Sequence, residues 1–332
     1  MLAKQQNRST TKNREIVNEL IKSKVSLAPM AGITDYVMRN RIRKYSPTCL
    51  ITTEMISSEF LAQVKETVIS KIDEAQHPIN FQISGHKPHL MKAAAEFLSD
   101  KADMIDINMG CPVNKVVKGQ DGCALMRNPE LAEELVKAVK EGTTKPVSVK
   151  FRLGYTADEM NYVEFGQRMQ GAGADFITIH ARTRSQFYSG TADWGKIKLL
   201  KRNVDIPVFA NGDIKSVEDA IKCIDCSEAD GVAVGRAAMG DPTLIGRIAH
   251  YFKTGEIISE PTLQEKIKML ISHLNGEIEL RGESVGIKFM RKFYPFYISG
   301  IKNAAKARSV LVLEEDYNKI ISILDSISKE YS

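Results

Sequence analysis

Cys111 lies in the run Asn108-Met109-Gly110-Cys111-Pro112. Glycine and proline on either side define a tight turn, which presents the thiol instead of packing it. A thiol of ordinary pKa, about 8.5, is mostly protonated at neutral pH and can act as an acid without tuning. The competing reading is a small buried cysteine, the commonest fate of the residue type. That reading suits Cys123, in Asp121-Gly122-Cys123-Ala124. Polar or glycine-rich groups also recur where short apolar runs stop: Gln82, Lys150 with Arg152, His180-Ala181-Arg182-Thr183-Arg184, Asn211-Gly212-Asp213 and Gly235-Arg236. Each could be structural on its own. Together they could bind an anion and stabilise developing charge. Lysine does so by Coulomb attraction. Glutamine offers a donor and an acceptor at once. Glycine N–H groups with an arginine receive a phosphate.

The elements that must position these groups are short. The candidate strands are Val25–Ala28, Cys49–Thr53, Ile79–Gln82, Met104–Asn108, Val147–Phe151, Phe176–His180, Val208–Ala210 and Gly231–Val234. Most are continuously apolar, the pattern of parallel strands buried on both faces. Amphipathic stretches lie between them, such as Pro88–Leu98 and Pro129–Val139. Asn128 before Pro129 reads as a helix cap, and Ser216 with Asp219 as a second start signal. Eight strand–helix repeats predict a (β/α)8 TIM barrel. A doubly wound sheet would carry a glycine-rich dinucleotide loop after its first strand, and Ala28-Pro29-Met30-Ala31-Gly32 is not one. In a barrel the chemistry sits where the strands end, and the loops after strands seven and eight commonly hold a phosphate. Gly212, Gly235 and Arg236 fall there, with Gly240 placed to open a short helix toward the anion. A single phosphate site, with Lys150 and Gln82 facing the rest of the ligand, suits FMN.

The chain of 332 residues can hold one barrel of about 250 residues and a small second domain. After about Thr254 strand-like runs become scarce and helical periodicity takes over, as in Leu263–Leu280 and Glu314–Ile327. The expected organisation is a polar extension over 1–24, a barrel over 25–254 and a helical domain over 255–332. The extension has six basic residues against two acidic. It is expected to be mobile, with a helix at Arg14–Ile21. No apolar run approaches the roughly 18 residues of a membrane span, and Met1–Lys24 lacks the apolar core of a signal peptide. A cytoplasmic monomer with no membrane partner is therefore expected. The five cysteines are scattered and odd in number, unlike a disulfide framework. Cys223 and Cys226 form a C-x-x-C pair with no two further ligands nearby, so they are expected to pack and no metal is expected.

The ordered set of motifs resembles the tRNA-dihydrouridine synthase family, most of all its bacterial B-type branch. The most specific piece is Asp106-Ile107-Asn108-Met109-Gly110-Cys111-Pro112, followed by Val116 and Gly122-Cys123. Leu27-Ala28-Pro29-Met30-Ala31-Gly32-Ile33-Thr34-Asp35, Tyr188-Ser189-Gly190 and Ala192-Asp193-Trp194 are also similar, as are the runs at His180, Asn211 and Gly235. The resemblance is close over roughly 25–250 and looser beyond. It implies an FMN barrel followed by a helical tRNA-binding domain. Pro29, Met30 and Ala31 would line the flavin, Gln82 and Lys150 would contact its ring, and His180 would lie close by. Asn211, Gly212, Asp213, Gly235 and Arg236 would hold the phosphate side. Cys111 matches the catalytic cysteine, and Asn108 and Arg182 would orient the uracil.

The chemistry implied is reduction of uridine to 5,6-dihydrouridine. Hydride passes from reduced FMN to C6, a proton passes from Cys111 to C5, and NADPH restores the flavin. The target base must leave its stack to reach a buried flavin. Arg281–Arg308 carries seven basic residues against one acidic, Glu283, with Phe289, Phe293, Tyr294, Phe296 and Tyr297 interleaved. Basic side chains such as Arg291 and Lys292 are expected to meet RNA phosphates, and most of the aromatics to pack. Two rivals remain: an FMN barrel reducing a free pyrimidine, and a tRNA-binding protein without activity. The basic helical segment argues against the first, and Cys111, Lys150 and the phosphate loops against the second.

Overall fold

The computed structural model describes residues 12–63, 73–300 and 304–330. Eight apolar runs form strands: Val25–Leu27 (β1), Leu50–Thr52 (β2), Ile79–Ser84 (β3), Met104–Met109 (β4), Val147–Arg152 (β5), Phe176–His180 (β6), Val208–Asn211 (β7) and Gly231–Val234 (β8). They run parallel in the order β2-β1-β8-β7-β6-β5-β4-β3, and β2 pairs back onto β3, which closes the barrel. A two-residue strand, Ile56–Ser57, adds to the far end of β3. Burial is continuous along these eight strands except at Lys150 in β5. A charged side chain interrupting an otherwise sealed wall marks where the barrel interior opens. The register sets polar residues level across the wall: Gln82 beside Asp106 beside Ser148, and Arg152 beside His180 beside Asn211.

The barrel helices are Tyr36–Tyr45 (α1), Ser58–Gln63 (α2), Pro88–Leu98 (α3), Pro129–Gly142 (α4), Tyr162–Ala172 (α5), Trp194–Lys201 (α6), Val217–Ser227 (α7) and Leu244–Thr254 (α8). Their starts follow local chemistry. The side chain of Asn128 accepts from the Leu131 N–H, and that of Ser216 from the Asp219 N–H, satisfying donors that a helix cannot pair itself. Cys223, buried, and Cys226, exposed, lie near the end of α7 as free thiols.

The chain before β1 forms the helix expected at Arg14–Ile21, but packs against the barrel where a mobile extension was expected. Residues 1–11 lie outside the described residues, but 12–20 are helical and packed. Val17 and Ile21 are buried against Leu50, Met104, Phe176 and Phe209 at the starts of the strands. They cover apolar side chains that the barrel floor would otherwise expose, so hydrophobic burial holds this segment in place.

Beyond the barrel, Leu263–Arg281 (α9), Glu283–Met290 (α10), Ala304–Leu311 (α11) and Tyr317–Glu330 (α12) form the helical region, with one extra turn at Tyr294–Tyr297. A reciprocal capping box, Thr262 with Glu265, starts α9. Gly276 lets α9 approach α1 closely, since a Cβ there would lie 2.8 Å from Val37. Phe293, Tyr294 and Tyr297 are buried, as expected for packing aromatics, whereas Phe296 stays exposed. Among the described residues no helix is long and apolar enough to cross a membrane.

Candidate active site

The strand ends converge on a cavity of about 710 Å³, within the usual range for a cofactor site. Cys111, Asn108, Gln82, Lys150, His180, Asn211, Gly212, Asp213, Gly235 and Arg236 line it, together with Pro29, Met30 and Ala31 from the loop after β1. The sequence-derived cofactor residues and the cysteine thus share one cleft. Met55, Tyr188, Lys215 and Phe296 also line it, and none of them is a site residue on sequence grounds.

A one-way hydrogen-bond chain orients the polar wall. Asp106 is buried in β4, where its carboxylate can only accept. It takes the Ser148 hydroxyl at 2.6 Å and the Gln82 amide N–H at 2.6 Å. Gln82 must then turn its carbonyl outward, and that oxygen accepts from the Asn108 side-chain N–H at 2.7 Å. Asn108 in turn presents its carbonyl to the backbone N–H groups of Gly110 and Cys111, at 3.2 and 3.0 Å. A single buried carboxylate therefore fixes both amides and the turn that carries Cys111. In the sequence Asp106 stands out only as part of a motif. A carboxylate inside an apolar strand was the available signal, because such groups are almost never fully buried without partners.

Burial raises the Asp106 carboxyl to about 6, against the pull of Gln82, Ser148 and Lys150. Lys150 donates to the Asn211 carbonyl at 3.0 Å. Burial, with Arg152 nearby, lowers its ammonium to about 8, and Asp106 works in the opposite direction. His180 is held well below its ordinary value, first by burial and then by Arg152, Lys150, Arg182 and Arg236, so it is neutral at pH 7. Burial pushes the Cys111 thiol up, which keeps its proton in place. Cys123 is raised to about 12, chiefly by burial, and its thiol donates to the Gly110 carbonyl at 3.1 Å. It packs behind the Cys111 turn, as expected.

Arg182 is placed otherwise than expected. It is 1% exposed and absent from the cleft lining. Its guanidinium donates to Asp213 at 2.6 Å and to the Ser189 and Gly190 carbonyls at 3.1 and 2.7 Å. Arg152, one strand away, donates to the Thr183 and Phe187 carbonyls at 3.0 and 2.8 Å. Two arginines thus support the loop 183–190 from beneath. On that loop Tyr188 lines the cleft between the Arg152 and Arg236 guanidinium groups, 5.6 and 5.1 Å from its ring centre. Burial alone would raise the Asp213 carboxyl, but Arg182 and the Ala192 N–H outweigh it and hold it below the ordinary range.

The rim formed by the loops after β7 and β8 is shaped by glycine. Gly212 has φ +118°, and a Cβ there would lie 2.9 Å from both His180 and Ala192. Arg236 is half-exposed, with a 3.5 Å contact to Asp213 beside the Tyr188 ring. The short helix expected beyond Gly240 instead precedes it, as the single turn Arg236–Met239. Gly240 lies too close to the Phe296 backbone to carry a side chain. Of the two expected RNA contacts, Arg291 pairs with Glu315 at 2.9 Å on the surface. Lys292 reaches inward to the Gly32 carbonyl and lies outside the cleft lining. Lys302, counted in the basic segment, lies outside the described residues. Among the described residues no three His, Cys, Asp or Glu side chains are placed to share a metal ion.

Residues 26–329 match the family model described as Dihydrouridine synthase (Dus). The "Probable tRNA-dihydrouridine synthase 1" of Synechocystis sp. is 42% identical over 87% of this chain and 82% of its own length. The "tRNA-dihydrouridine synthase B" of Shewanella oneidensis is 38% identical over 84% and 87%. Among solved structures, morphinone reductase superposes with a TM-score of 0.51 at 13% identity, covering 73% of this chain and 88% of that one, a likeness of barrel fold alone. With the model match spanning nearly the whole sequence, this chain belongs to the dihydrouridine synthase family.

Proposed function

We propose that this chain is a tRNA-dihydrouridine synthase that reduces uridine in tRNA to 5,6-dihydrouridine, with FMN as cofactor and NADPH as reductant. Residues 25–254 would carry the chemistry and 255–332 would dock the RNA. The observation that carries the reading is the meeting of Cys111 with Lys150, Gln82 and the Gly212–Arg236 rim in one cleft of a family member.

The cleft suits the cofactor on its own terms. One cation, Lys150, stands on the wall beside the acceptor and donor groups of Gln82 and Asn211. A second, Arg236, stands at a rim where Gly235 leaves the backbone open. The carboxylate of Asp213 is paired with Arg182, which offsets part of its charge at that rim. Arg236 with the Gly212 and Gly235 amides would hold the phosphate, and Lys150 with Gln82 the ring edge. When bound, reduced FMN supplies the hydride. The chain's own residues orient the pyrimidine and complete the reduction. Asn108, anchored through its carbonyl, keeps a side-chain N–H free to meet a uracil oxygen. Cys111 holds its proton at neutral pH and delivers it from Sγ to C5, which quenches the charge that would otherwise build toward O4. Arg182, enclosed beneath its loop, serves the site by holding Asp213 and the segment that carries Tyr188.

The test is single turnover. The flavin is reduced anaerobically by NADPH, tRNA or free orotate is added, and absorbance is followed. Wild type should reoxidise with tRNA and not with orotate. Cys111→Ala should take up FMN and accept reduction normally, then reoxidise about 10²–10⁴-fold more slowly with tRNA. Cys123→Ala should behave close to wild type. Wild-type rates in Cys111→Ala, with dihydrouridine formed, would place the proton donor elsewhere.

A further inference from the structure

The loop after β1 is gripped from two sides. Gly32, at φ +71°, turns the chain, and the Ile33 and Thr34 N–H groups both donate to the Met30 carbonyl at 3.0 Å. The Gly32 N–H donates to the Glu54 carboxylate, on the loop after β2. The Gly32 carbonyl accepts from the ammonium of Lys292, which comes from the helical region. That ammonium also sits 3.3 Å from the centre of the Phe289 ring. Arg281, at the end of α9, covers the same ring at 3.8 Å and donates to Asp35, the cap of α1, and to Glu277. Lys292 therefore has a carbonyl and an aromatic face as partners inside the protein, an arrangement that suits an anchor better than a phosphate ligand. The peptide it anchors lies between Met30, Ala31 and Ile33, all of which line the cleft.

We infer that Lys292 is a positioning residue of the cofactor cleft: from the helical region it sets the turn at Gly32 that shapes the wall beneath the ligand. This assignment rests on reading that cleft as the flavin site, and it replaces the expectation that Lys292 meets RNA. It makes the helical region part of the cofactor site as well as of the RNA surface.

The experiment uses full-length wild type, Lys292→Ala, Lys292→Arg and Arg291→Ala. With flavin stripped, hydrogen exchange is followed at the amides of residues 30–34 and of α9. Lys292→Ala should exchange about tenfold faster at 30–34 with α9 unchanged. Arginine can donate to the same carbonyl over the same ring, so Lys292→Arg should restore the wild-type rate. With FMN added back, the dissociation constant of Lys292→Ala should rise about tenfold. Its tRNA affinity should keep the wild-type salt slope, whereas Arg291→Ala should flatten that slope and leave the loop amides unchanged. Unchanged loop exchange in Lys292→Ala overturns the proposal. So does loosening of α9 together with the loop, which would mark general support. A wild type that binds no FMN would overturn the functional reading, while the flavin-free exchange would still decide the role of Lys292.

Discussion

At the scale of single residues, Asp106 is the group whose chemistry reaches furthest, since its carboxylate dictates which way Gln82 and Asn108 point. Its pKa is raised to about 6, so the folded state binds its proton more tightly than the unfolded chain does. The stability it confers is full below the ordinary carboxylate range and is lost as pH rises through about 6. At neutral pH the charge is held at a cost to folding. Asp106→Asn should therefore leave the melting temperature at pH 7 unchanged or raised, and flatten its fall between pH 4 and pH 7, as differential scanning calorimetry would read. Turnover should fall by about 10- to 100-fold, because an amide can accept or donate and no longer enforces the chain's direction. A variant that melts much earlier at pH 7 would show that the charge stabilises the fold. The cleft's first contacts were legible in the sequence because polar types at the ends of apolar runs are conspicuous. Asp106 was less so, because its part depends on which side chains the register sets beside it. Arg182 was misplaced for the same reason: a guanidinium at a strand end reads as a ligand contact until its loop is seen folded over it.

At the scale of elements, the eight strands were legible because continuous apolar runs of that length have few alternatives once helical stretches separate them. Their ends were set to within a residue or two, and the caps at Asn128 and Ser216 formed as their chemistry required. The loop 183–190 was not legible. Its path depends on Arg152 and Arg182, which reach it from the ends of neighbouring strands. Arg182→Met should remove three donors and leave the Asp213 carboxylate without its main partner. Because Asp213 is only part-buried, the cost should be about 1.5–3 kcal/mol, the range for losing hydrogen bonds to a charged partner, read as a lower denaturation midpoint. The loop should also become sensitive to limited proteolysis near Phe187. If Lys replaces Arg182, the charge survives but the fork that reaches several oxygens at once is lost, so rescue should be partial.

At the scale of the whole molecule, the two ends of the barrel have opposite characters. The strands finish on polar and charged groups around the cleft and begin on Phe176, Phe209, Leu50 and Met104, which Val17 and Ile21 cover. In sequence the covering segment reads as a charged tail, since the few apolar residues that matter in it are diluted by basic ones. Val17→Ser should destabilise the protein by about 1.5–3 kcal/mol, measured by urea unfolding. FMN affinity should change little, because the substitution lies at the end of the barrel away from the cleft.

A barrel closed below and open above is a cup with one mouth. If the proposed function holds, whatever brings electrons and whatever carries them away would cross the rim of the same cleft and compete for it. On the proposed function the reductant would leave before the RNA base enters, and the protein would hold the electrons alone in the interval. Initial rates measured against both partners should then plot as parallel double-reciprocal lines. An excess of either partner should slow the reaction by occupying the mouth at the wrong moment. Intersecting lines would mean that the two visitors can share the opening after all.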